Sequence, residues 1–301
     1  MSFKVLNKQL ISPTIKRLDI HAPAIAARAQ PGQFVMVAPD RACEPLALPI
    51  AEQDRRKASV AFVFQANSPT ALKLGDLQIN DEVEIVMGPL GTPVRPKKFG
   101  TVLCMATSLG TAPILPIARG LKDVGNKVIG ILGAPNRRTL LFEPQMRMLC
   151  HKIHVATKDG SYMKRGLASD LCKDILKTEN IQAAFVAGSI SMMQTVSALT
   201  KAKNIPTFAY LNPIMLDGNG FCGSCRVKVG GRTVLACQDG PVFDAHQVDF
   251  DALKIRVDSY KPEMYNSQPR VTSWDNQPSQ LRAPAAESRT LTKWLSGIRK
   301  K

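Results

Sequence analysis

Short runs of alternating hydrophobic and polar residues, a pattern typical of half-buried β-strands, cover the first hundred positions. Turn-forming Gly, Pro, Asn and Asp residues separate these runs. We predict strands at residues 4–11, 14–21, 33–38, 59–65 and 82–87. Many short strands with turns between them predict an antiparallel β-barrel, to which we assign residues 1–97.

A different pattern begins at residue 98 and continues to residue 210. Apolar runs at 101–105, 127–132, 152–157 and 183–186 alternate with stretches of helical periodicity, such as 114–124 and 166–177. Alternating strands and helices predict a parallel sheet with crossover helices. The most apolar stretch is interrupted by Gly110, Pro113 and Pro116, so it indicates strand, loop and helix rather than a membrane span. We predict no transmembrane segment.

The remaining chain divides into two parts. Residues 211–258 are rich in glycine and contain an alternating run at 226–236 with Gly230-Gly231 at its centre, which predicts a β-hairpin. Residues 259–301 form a Pro-, Gln-, Ser- and Asn-rich linker, followed by a basic segment with Leu291, Trp294, Leu295 and Ile298 at helical spacing. This tail indicates docking to a partner, with packing on its own domain or on a membrane surface as alternatives.

The charge of the chain narrows the choice of partner. It has 40 Lys and Arg against 24 Asp and Glu, a formal net charge of +16. Such a field attracts nucleic acid, an anionic membrane or an acidic protein. Only 6% of residues are aromatic and no nucleic-acid motif is present, which disfavours nucleic acid. We therefore expect an acidic protein partner.

The cysteines and the N-terminal sequence indicate the cellular compartment in which the protein is found. No long apolar stretch opens the chain, so a secretory signal is not predicted. Of seven Cys residues, we expect the isolated ones to be small core residues, namely Cys43, Cys104, Cys150 and Cys172. Free thiols are typical of a reducing compartment, and we predict a cytoplasmic location.

The other three cysteines form the most specific motif of the chain. Asp217-Gly-Asn-Gly-Phe-Cys222-Gly-Ser-Cys225 is followed by Cys237, after the predicted hairpin. Plant-type [2Fe-2S] proteins bind their cluster with C-x4-C-x2-C and a distant fourth Cys. That spacing is kept here, with Asp217 in the first position. Glycines 218, 220 and 223 would let the backbone approach a cluster closely.

Other interpretations of these residues are less favourable. Zinc needs four ligands, and the nearest His is His246, nine residues beyond Cys237. A dithiol redox pair at Cys222 and Cys225 would leave Cys237 without a role. Inert buried thiols remain the simplest alternative. For Asp217 the alternative is hydrogen bonding to its own turn, with the fourth ligand supplied by Asp239 or His246.

These residues also carry a family resemblance. Leu211-Asn-Pro-Ile-Met-Leu-Asp-Gly-Asn-Gly-Phe-Cys-Gly-Ser-Cys225 and Cys237-Gln-Asp-Gly-Pro-Val-Phe-Asp-Ala-His246 resemble the small subunit of NADH-dependent ferredoxin:NADP oxidoreductase, also called the sulfide dehydrogenase small subunit. The chain is also similar to the electron-transfer subunit of dihydroorotate dehydrogenase B. The resemblance covers residues 1–258. It implies a cluster held by Asp217, Cys222, Cys225 and Cys237.

The same resemblance implies the architecture and the other cofactors. It implies a ferredoxin reductase-like chain of flavin-type β-barrel (1–97), NAD(P)-binding-type α/β domain (98–210) and small [2Fe-2S] module (211–258). The partner in that family is a larger flavoprotein that resembles the small subunit of glutamate synthase. The positions that the resemblance assigns to FAD are Leu48, Ile50, Gln65, Thr70 and Gly91, and those for NAD(P) are Gly110, Asp159 and Gly188.

Several departures from the family pattern bear on nucleotide binding. Pro45 stands where the family has an Arg that pairs with pyrophosphate, and residues 67–70 lack the family's Lys. The phosphate-binding turn is Thr107-Ser-Leu-Gly110 in place of a Gly-rich turn, and the arginine after the next strand is displaced to Arg137 or Arg138. FAD binding stays an open expectation and NAD(P) binding is disfavoured.

Two hypotheses follow for the function. The first is an electron-transfer subunit that passes electrons between a nicotinamide, a flavin or a larger flavoprotein and a [2Fe-2S] cluster. The second is a non-catalytic relay or structural subunit, which keeps the cluster but has lost nucleotide chemistry. The flavin content of the protein distinguishes the two.

Overall fold

The computed structural model describes residues 3–259. The first group of elements is built mainly from antiparallel strands. In chain order these elements are β1 (Phe3–Leu10), β2 (Ile15–His21), α1 (Pro23–Arg28), β3 (Phe34–Ala38), β4 (Leu46–Pro49), β5 (Glu52–Asp54), β6 (Ser59–Gln65), α2 (Pro69–Asp76), β7 (Glu82–Val83) and β8 (Ile85–Leu90). The strands form sheets in the orders β5-β6-β2-β1-β7 and β4-β3-β8. The predicted antiparallel barrel is confirmed, although the strand predicted at 82–87 is divided between β7 and β8.

The second group of elements is the predicted parallel sheet with its helices. It contains β9 (Thr101–Thr107), α3 (Thr111–Asp123), β10 (Lys127–Ala134), α4 (Glu143–Leu149), β11 (Lys152–Thr157), β12 (Lys164–Arg165), α5 (Ala168–Thr178), β13 (Ala183–Ala187), α6 (Ile190–Lys201) and β14 (Thr207–Tyr210). These strands pair in parallel in the order β12-β11-β10-β9-β13-β14. Fully buried runs such as Val102–Ala106 explain why the strands are almost continuously apolar.

Helix α3 begins three residues earlier than predicted. The hydrophobic periodicity predicted a helical stretch from residue 114. Pro113 instead lies in the first turn, where its missing N–H has no intrahelical partner to lose. The residues before the helix, Ser108–Gly110, form a single 3-10 turn.

The third group contains the cysteine motif and joins both preceding groups. Its elements are β15 (Arg226–Val229), β16 (Arg232–Leu235), β17 (Val242–Asp244) and α7 (Phe250–Ser259). Strands β15 and β16 form the predicted hairpin about Gly230 and Gly231. Strand β17 pairs antiparallel with β14 and so extends the parallel sheet, a contact that the sequence did not reveal.

Contacts with the barrel fix the position of this third group. Thr92 donates its backbone N–H to Gly240 O and its hydroxyl to Gln238 O. Gly91 has no room for a side chain, because a Cβ there would lie 2.9 Å from Pro241 Cδ. The segment that carries Cys237 is therefore held against the end of β8.

The four isolated cysteines differ in their burial. Cys104 and Cys172 are fully buried as expected, whereas Cys43 and Cys150 are only half-buried. Among the described helices, none combines the length and the apolarity that crossing a membrane requires. The predicted linker and basic tail lie outside the described residues, except for Ser259 at the end of α7.

Candidate functional site

The cysteine motif forms a surface loop, residues 216–225, which we call the cluster loop. The Asp217 carboxylate accepts backbone N–H groups from within the loop, from Cys222 at 2.7 Å, Asn219 at 3.1 Å and Gly220 at 3.3 Å. Burial acts to raise the pKa of Asp217, but these hydrogen bonds outweigh it and hold the pKa below its ordinary value. The loop is thus wrapped around one carboxylate.

The close packing of the loop explains one of its glycines. Gly218 has φ +71°, and a Cβ there would lie 2.7 Å from Met36 Cγ and 2.9 Å from Leu90 Cδ1. Met36 belongs to β3 and Leu90 to β8. Only glycine lets the loop backbone lie directly on the barrel.

Two of the thiols are already in contact. The Cys225 and Cys237 sulfurs lie 3.2 Å apart, and each residue is 1% exposed. The hairpin brings them together, since Ala236 N donates to Cys225 O next to the point where the chain returns. Cys222 is exposed, and its sulfur lies 3.1 Å from Ser224 Oγ.

Burial and hydrogen bonding affect the thiols differently. Burial is the largest influence on Cys237 and raises its pKa to about 12, with the neighbouring Cys225, Asp217 and Cys222 adding to the increase. The pKa of Cys222 is lowered, chiefly by the hydrogen bond to the Ser224 side chain.

The alternative ligands have other partners. Asp239 accepts the N–H of Leu235 at 2.8 Å. His246 is hydrogen-bonded to the buried Thr200 on α6, with Nε2 and Oγ1 separated by 3.1 Å. Both side chains are therefore engaged in hydrogen bonds of their own.

The donor set formed by the cluster loop together with Cys237 fits an iron–sulfur cluster. Three thiols and one carboxylate are the soft and anionic groups that iron–sulfur clusters require, and the loop has backbone N–H groups that can face the sulfurs. Within residues 3–259, no three Cys, His, Asp or Glu side chains have converged into a metal-binding group. The Cys225–Cys237 pair is the part of the set that is in contact, and Asp217 is held by its own turn.

A second feature is a cleft of about 550 Å³ between the barrel and the parallel sheet. Four of the predicted nucleotide-binding residues line it, and they are Leu48, Gln65, Gly110 and Gly188. No charged side chain is among its lining residues. Such a neutral, mostly apolar cleft fits a flavin ring, whereas its walls offer no cation to pair with a pyrophosphate.

The other predicted nucleotide-binding residues lie outside this cleft. Ile50 faces a separate depression beside Arg17, and Thr70 is buried within α2. Gly91 packs against Pro241, and Asp159 lies in an exposed turn where it accepts the N–H of Ser161. The structure therefore brings together four of the eight nucleotide assignments, and all eight stay predictions.

The turn before α3 does not fit a dinucleotide pyrophosphate. The Thr107 side chain covers Gly188, since a Cβ on Gly188 would clash with Thr107 Oγ1, and Gly110 packs against the carbonyl group of Ala187. Ser108 has φ +48° and its carbonyl oxygen accepts the hydroxyl of Thr111. These glycines serve the packing of α3 and β13, and the amide surface that a phosphate needs is covered.

Sequence reasoning missed two residues near these sites. Met36 is hidden in the apolar pattern of β3, although it lies against Gly218 of the cluster loop and pairs with Ala47, which lines the cleft. Tyr210 lies at the end of β14 and lines the cleft. The only signal for Tyr210 was an aromatic residue just before the cysteine motif, at the boundary between two predicted domains.

Comparisons with known proteins agree with this geometry. The family model for the iron-sulfur cluster binding domain of dihydroorotate dehydrogenase B matches residues 212–249. A Thermotoga maritima homologue of the dihydroorotate dehydrogenase B (NAD(+)) electron transfer subunit is 30% identical over 260 residues, covering 86% of this chain and 92% of the relative. An uncharacterized protein from the adh 3′ region of Clostridium beijerinckii is 36% identical over 278 residues, or 89% and 94% of the two chains.

A solved structure shows the same fold. The structure of an NADH-dependent reduced ferredoxin-NADP oxidoreductase, studied for flavin-based electron bifurcation, is similar with a TM-score of 0.83 and 29% identity. The match covers 88% of this chain and 95% of that chain. The predicted ferredoxin reductase-like architecture, with a barrel, a parallel-sheet domain and an iron–sulfur cluster-binding domain, is confirmed.

The covered turn can be tested by removing its side chains. In Thr107→Gly/Ser108→Gly, Gly188 is uncovered and a phosphate can reach backbone N–H groups. One charge-assisted hydrogen bond contributes roughly 1.5–3 kcal/mol, so the Kd for NADH should fall by about tenfold or more in a fluorescence titration.

The matched control is Ser108→Gly alone, which relieves the positive φ but leaves Thr107 over Gly188. We expect this variant to bind NADH no better than the unchanged protein. Equal NADH affinity in the double variant and the control would contradict the role given to Thr107.

Proposed function

The chain belongs to the family of dihydroorotate dehydrogenase B electron-transfer subunits and their homologues, and from this premise we propose that it moves electrons through a [2Fe-2S] cluster on the cluster loop. The ligands in this proposal are Asp217, Cys222, Cys225 and Cys237. The observation that carries the proposal is the contact between the Cys225 and Cys237 sulfurs at 3.2 Å, beside a loop that is wrapped around Asp217 and lies directly on the barrel.

The cluster loop has one side that faces the barrel and another that is exposed at the surface. On the inner side, Gly218 contacts Met36, and Met36 pairs across the β3–β4 ladder with Ala47, which lines the cleft. On the outer side, Phe221 is 91% exposed and Cys222 is exposed as well. An electron can therefore enter from one side and leave from the other.

Each cofactor has a defined part in this proposal. When bound, a [2Fe-2S] cluster transfers one electron at a time, and a flavin ring couples such transfers to two-electron chemistry. The residues of the chain supply position and environment. The cleft walls would orient the flavin ring of FAD, and Met36 excludes water from the space between cleft and loop, since it is fully buried.

The exposed side of the loop suits a larger, acidic partner flavoprotein. Phe221 and the 47%-exposed Leu216 provide an apolar centre. Arg226 extends past Gly223, and the guanidinium of Arg256 donates to Ser224 O at 2.9 Å. An apolar centre beside cations is complementary to a partner with a pocket and an acidic rim.

Three related assignments belong to the same proposal. We divide the chain into the barrel at 1–97, the nucleotide-type domain at 98–210 and the cluster module at 211–258, with 259–301 as linker and tail. A cytoplasmic location is supported by the thiols of the loop, because thiols that ligate iron persist in a reducing compartment. The basic tail is assigned to partner docking.

A second candidate function is a relay without nicotinamide chemistry of its own. The covered turn at Thr107 and the proline at position 45 both favour it. In that case electrons would reach the cluster from the partner alone. Flavin content distinguishes the candidates, because bound FAD supports the first and an iron–sulfur spectrum without flavin supports the second.

The cluster assignment is tested by iron and sulfide analysis of the purified protein and its variants. Cys225→Ala and Cys237→Ala should each lose most of the iron and sulfide, because an iron with an open coordination position is labile. The matched control is Cys172→Ala, whose thiol is equally buried but lies in α5. Normal iron content in the first two variants would refute the proposed ligands.

Asp217 needs its own variants, because it also caps the turn. Asp217→Asn keeps an oxygen that can accept the loop N–H groups but removes the anionic ligand. Asp217→Cys supplies a softer and more electron-donating ligand, so the midpoint potential should fall and the EPR g-values should change. If Asp217 only caps the turn, the Asp217→Asn variant will leave the EPR spectrum unchanged. The Asp217→Cys variant will then leave the midpoint potential unchanged.

The charge of the partner is tested with electron transfer from a reduced acidic ferredoxin, followed in a stopped-flow instrument. Attraction by the positive chain should make the rate fall as salt is added. Arg226→Glu beside the loop should slow the reaction by roughly 3–10-fold at low salt. Arg56→Glu makes the same change of charge on an exposed barrel turn, and an equal effect there would show that docking does not occur at the loop.

A further inference from the structure

Tyr210 is a buried polar residue whose hydroxyl has no partner in the described part of the chain. It ends β14 and is 4% exposed. Burial alone raises the pKa of its phenol, with no hydrogen bond contributing. Buried tyrosine hydroxyls normally find a partner, because an unmade hydrogen bond costs free energy.

The open side of this hydroxyl is the cleft. Throughout the described residues, every buried side-chain oxygen and nitrogen that is sealed from solvent has a hydrogen-bond partner. The Tyr210 hydroxyl has none, so it must retain access to solvent. Tyr210 lines the cleft between barrel and sheet, which provides that access.

The surroundings of Tyr210 favour a ligand rich in hydrogen-bond acceptors. Helices α2 and α6 both begin at this cleft, at Ser68 and Ser189. Helix N-termini present N–H groups and partial positive charge. The lining contains neither acidic side chains to compete for these donors nor basic side chains to pair with a full anion.

We propose that the Tyr210 hydroxyl donates a hydrogen bond to a ring carbonyl or ring nitrogen of a planar, uncharged heterocycle bound in the cleft, of the flavin-ring class. This inference rests on the proposed function in taking the cleft as the flavin site. Tyr210 is then a binding residue at the junction of sheet and cluster module. Its recognition is directed to the ring and not to a phosphate.

A purely structural tyrosine does not explain these observations. A core tyrosine would satisfy its hydroxyl with a backbone or side-chain partner, as Tyr162 does by donating to Glu143 at 2.9 Å. A phosphate is also a poor match, because no basic side chain is among the residues that line the cleft. The free Tyr210 hydroxyl is explained if an acceptor atom of a bound ligand accepts its hydrogen bond.

The test uses the full chain with its cluster and titrates three probes by fluorescence and absorbance. Riboflavin presents the ring without phosphate, FAD presents both, and ADP presents phosphates without the ring. Tyr210→Phe removes only the hydroxyl. We expect riboflavin and FAD to bind about 3–10-fold more weakly, in equal proportion, as for the loss of one neutral hydrogen bond.

Two further measurements separate a binding role from a structural one. The Tm of Tyr210→Phe without ligand should be unchanged or higher, because the hydroxyl it loses has no partner to leave unpaired. Tyr162→Phe is the matched control and should lower the Tm while leaving riboflavin affinity unchanged. ADP affinity should be unchanged in both variants.

Several outcomes would overturn the inference. They are a lack of riboflavin binding by the unchanged protein, an unchanged riboflavin Kd in Tyr210→Phe, or a loss confined to ADP. Iron and sulfide content, measured on the same samples, reports on the cluster independently. A failed riboflavin titration with a full cluster rejects the role of Tyr210 and leaves electron transfer through the cluster standing.

Discussion

The direct contact between the cluster loop and the barrel is the constraint on which the arrangement of both sites depends. Gly218 lies on Met36 and Leu90 with no side chain between them. Cys225 and Cys237 belong to the same hydrophobic core as Met36. Any side chain at position 218 would lift the loop from β3. The thiols would then move away from the barrel, and the separation between loop and cleft would increase.

The pattern and spacing of residues predicted the main elements and the loop, because both depend on local sequence. The strands of the barrel and sheet follow from short-range hydrophobic periodicity, and the thiols follow from their spacing. Features that depend on distant contacts could not be predicted. Strand β17 exists because β14 offers a free edge, and the glycines at 110 and 188 are required by packing between α3, β9 and β13. Tyr210 became informative only when its lack of a partner was visible.

The nucleotide-type domain shows how a sheet can keep its form while its turn changes. Helix α3 still starts behind β9, as the fold requires, and Gly110 still allows the close approach of helix and strand. The side chain of Thr107 nevertheless covers Gly188, which follows the end of β13. The packing role of the turn and its phosphate-binding role are therefore separable, because they use different faces of the same few residues.

The distribution of charge separates two problems of recognition. The chain carries a net charge of +16, yet the cleft has no charged residue in its lining, so long-range attraction acts on the outside of the molecule and not on a ligand inside it. At the exposed loop, Arg226 and Arg256 lie beside the apolar Phe221, where a partner can be attracted at a distance and then packed in contact. Inside the cleft, helix N-termini and a single phenol replace charges as donors. Because neutral donors are only weakly screened by salt, a ligand held there would bind with little dependence on ionic strength, whereas association at the loop would depend on it strongly.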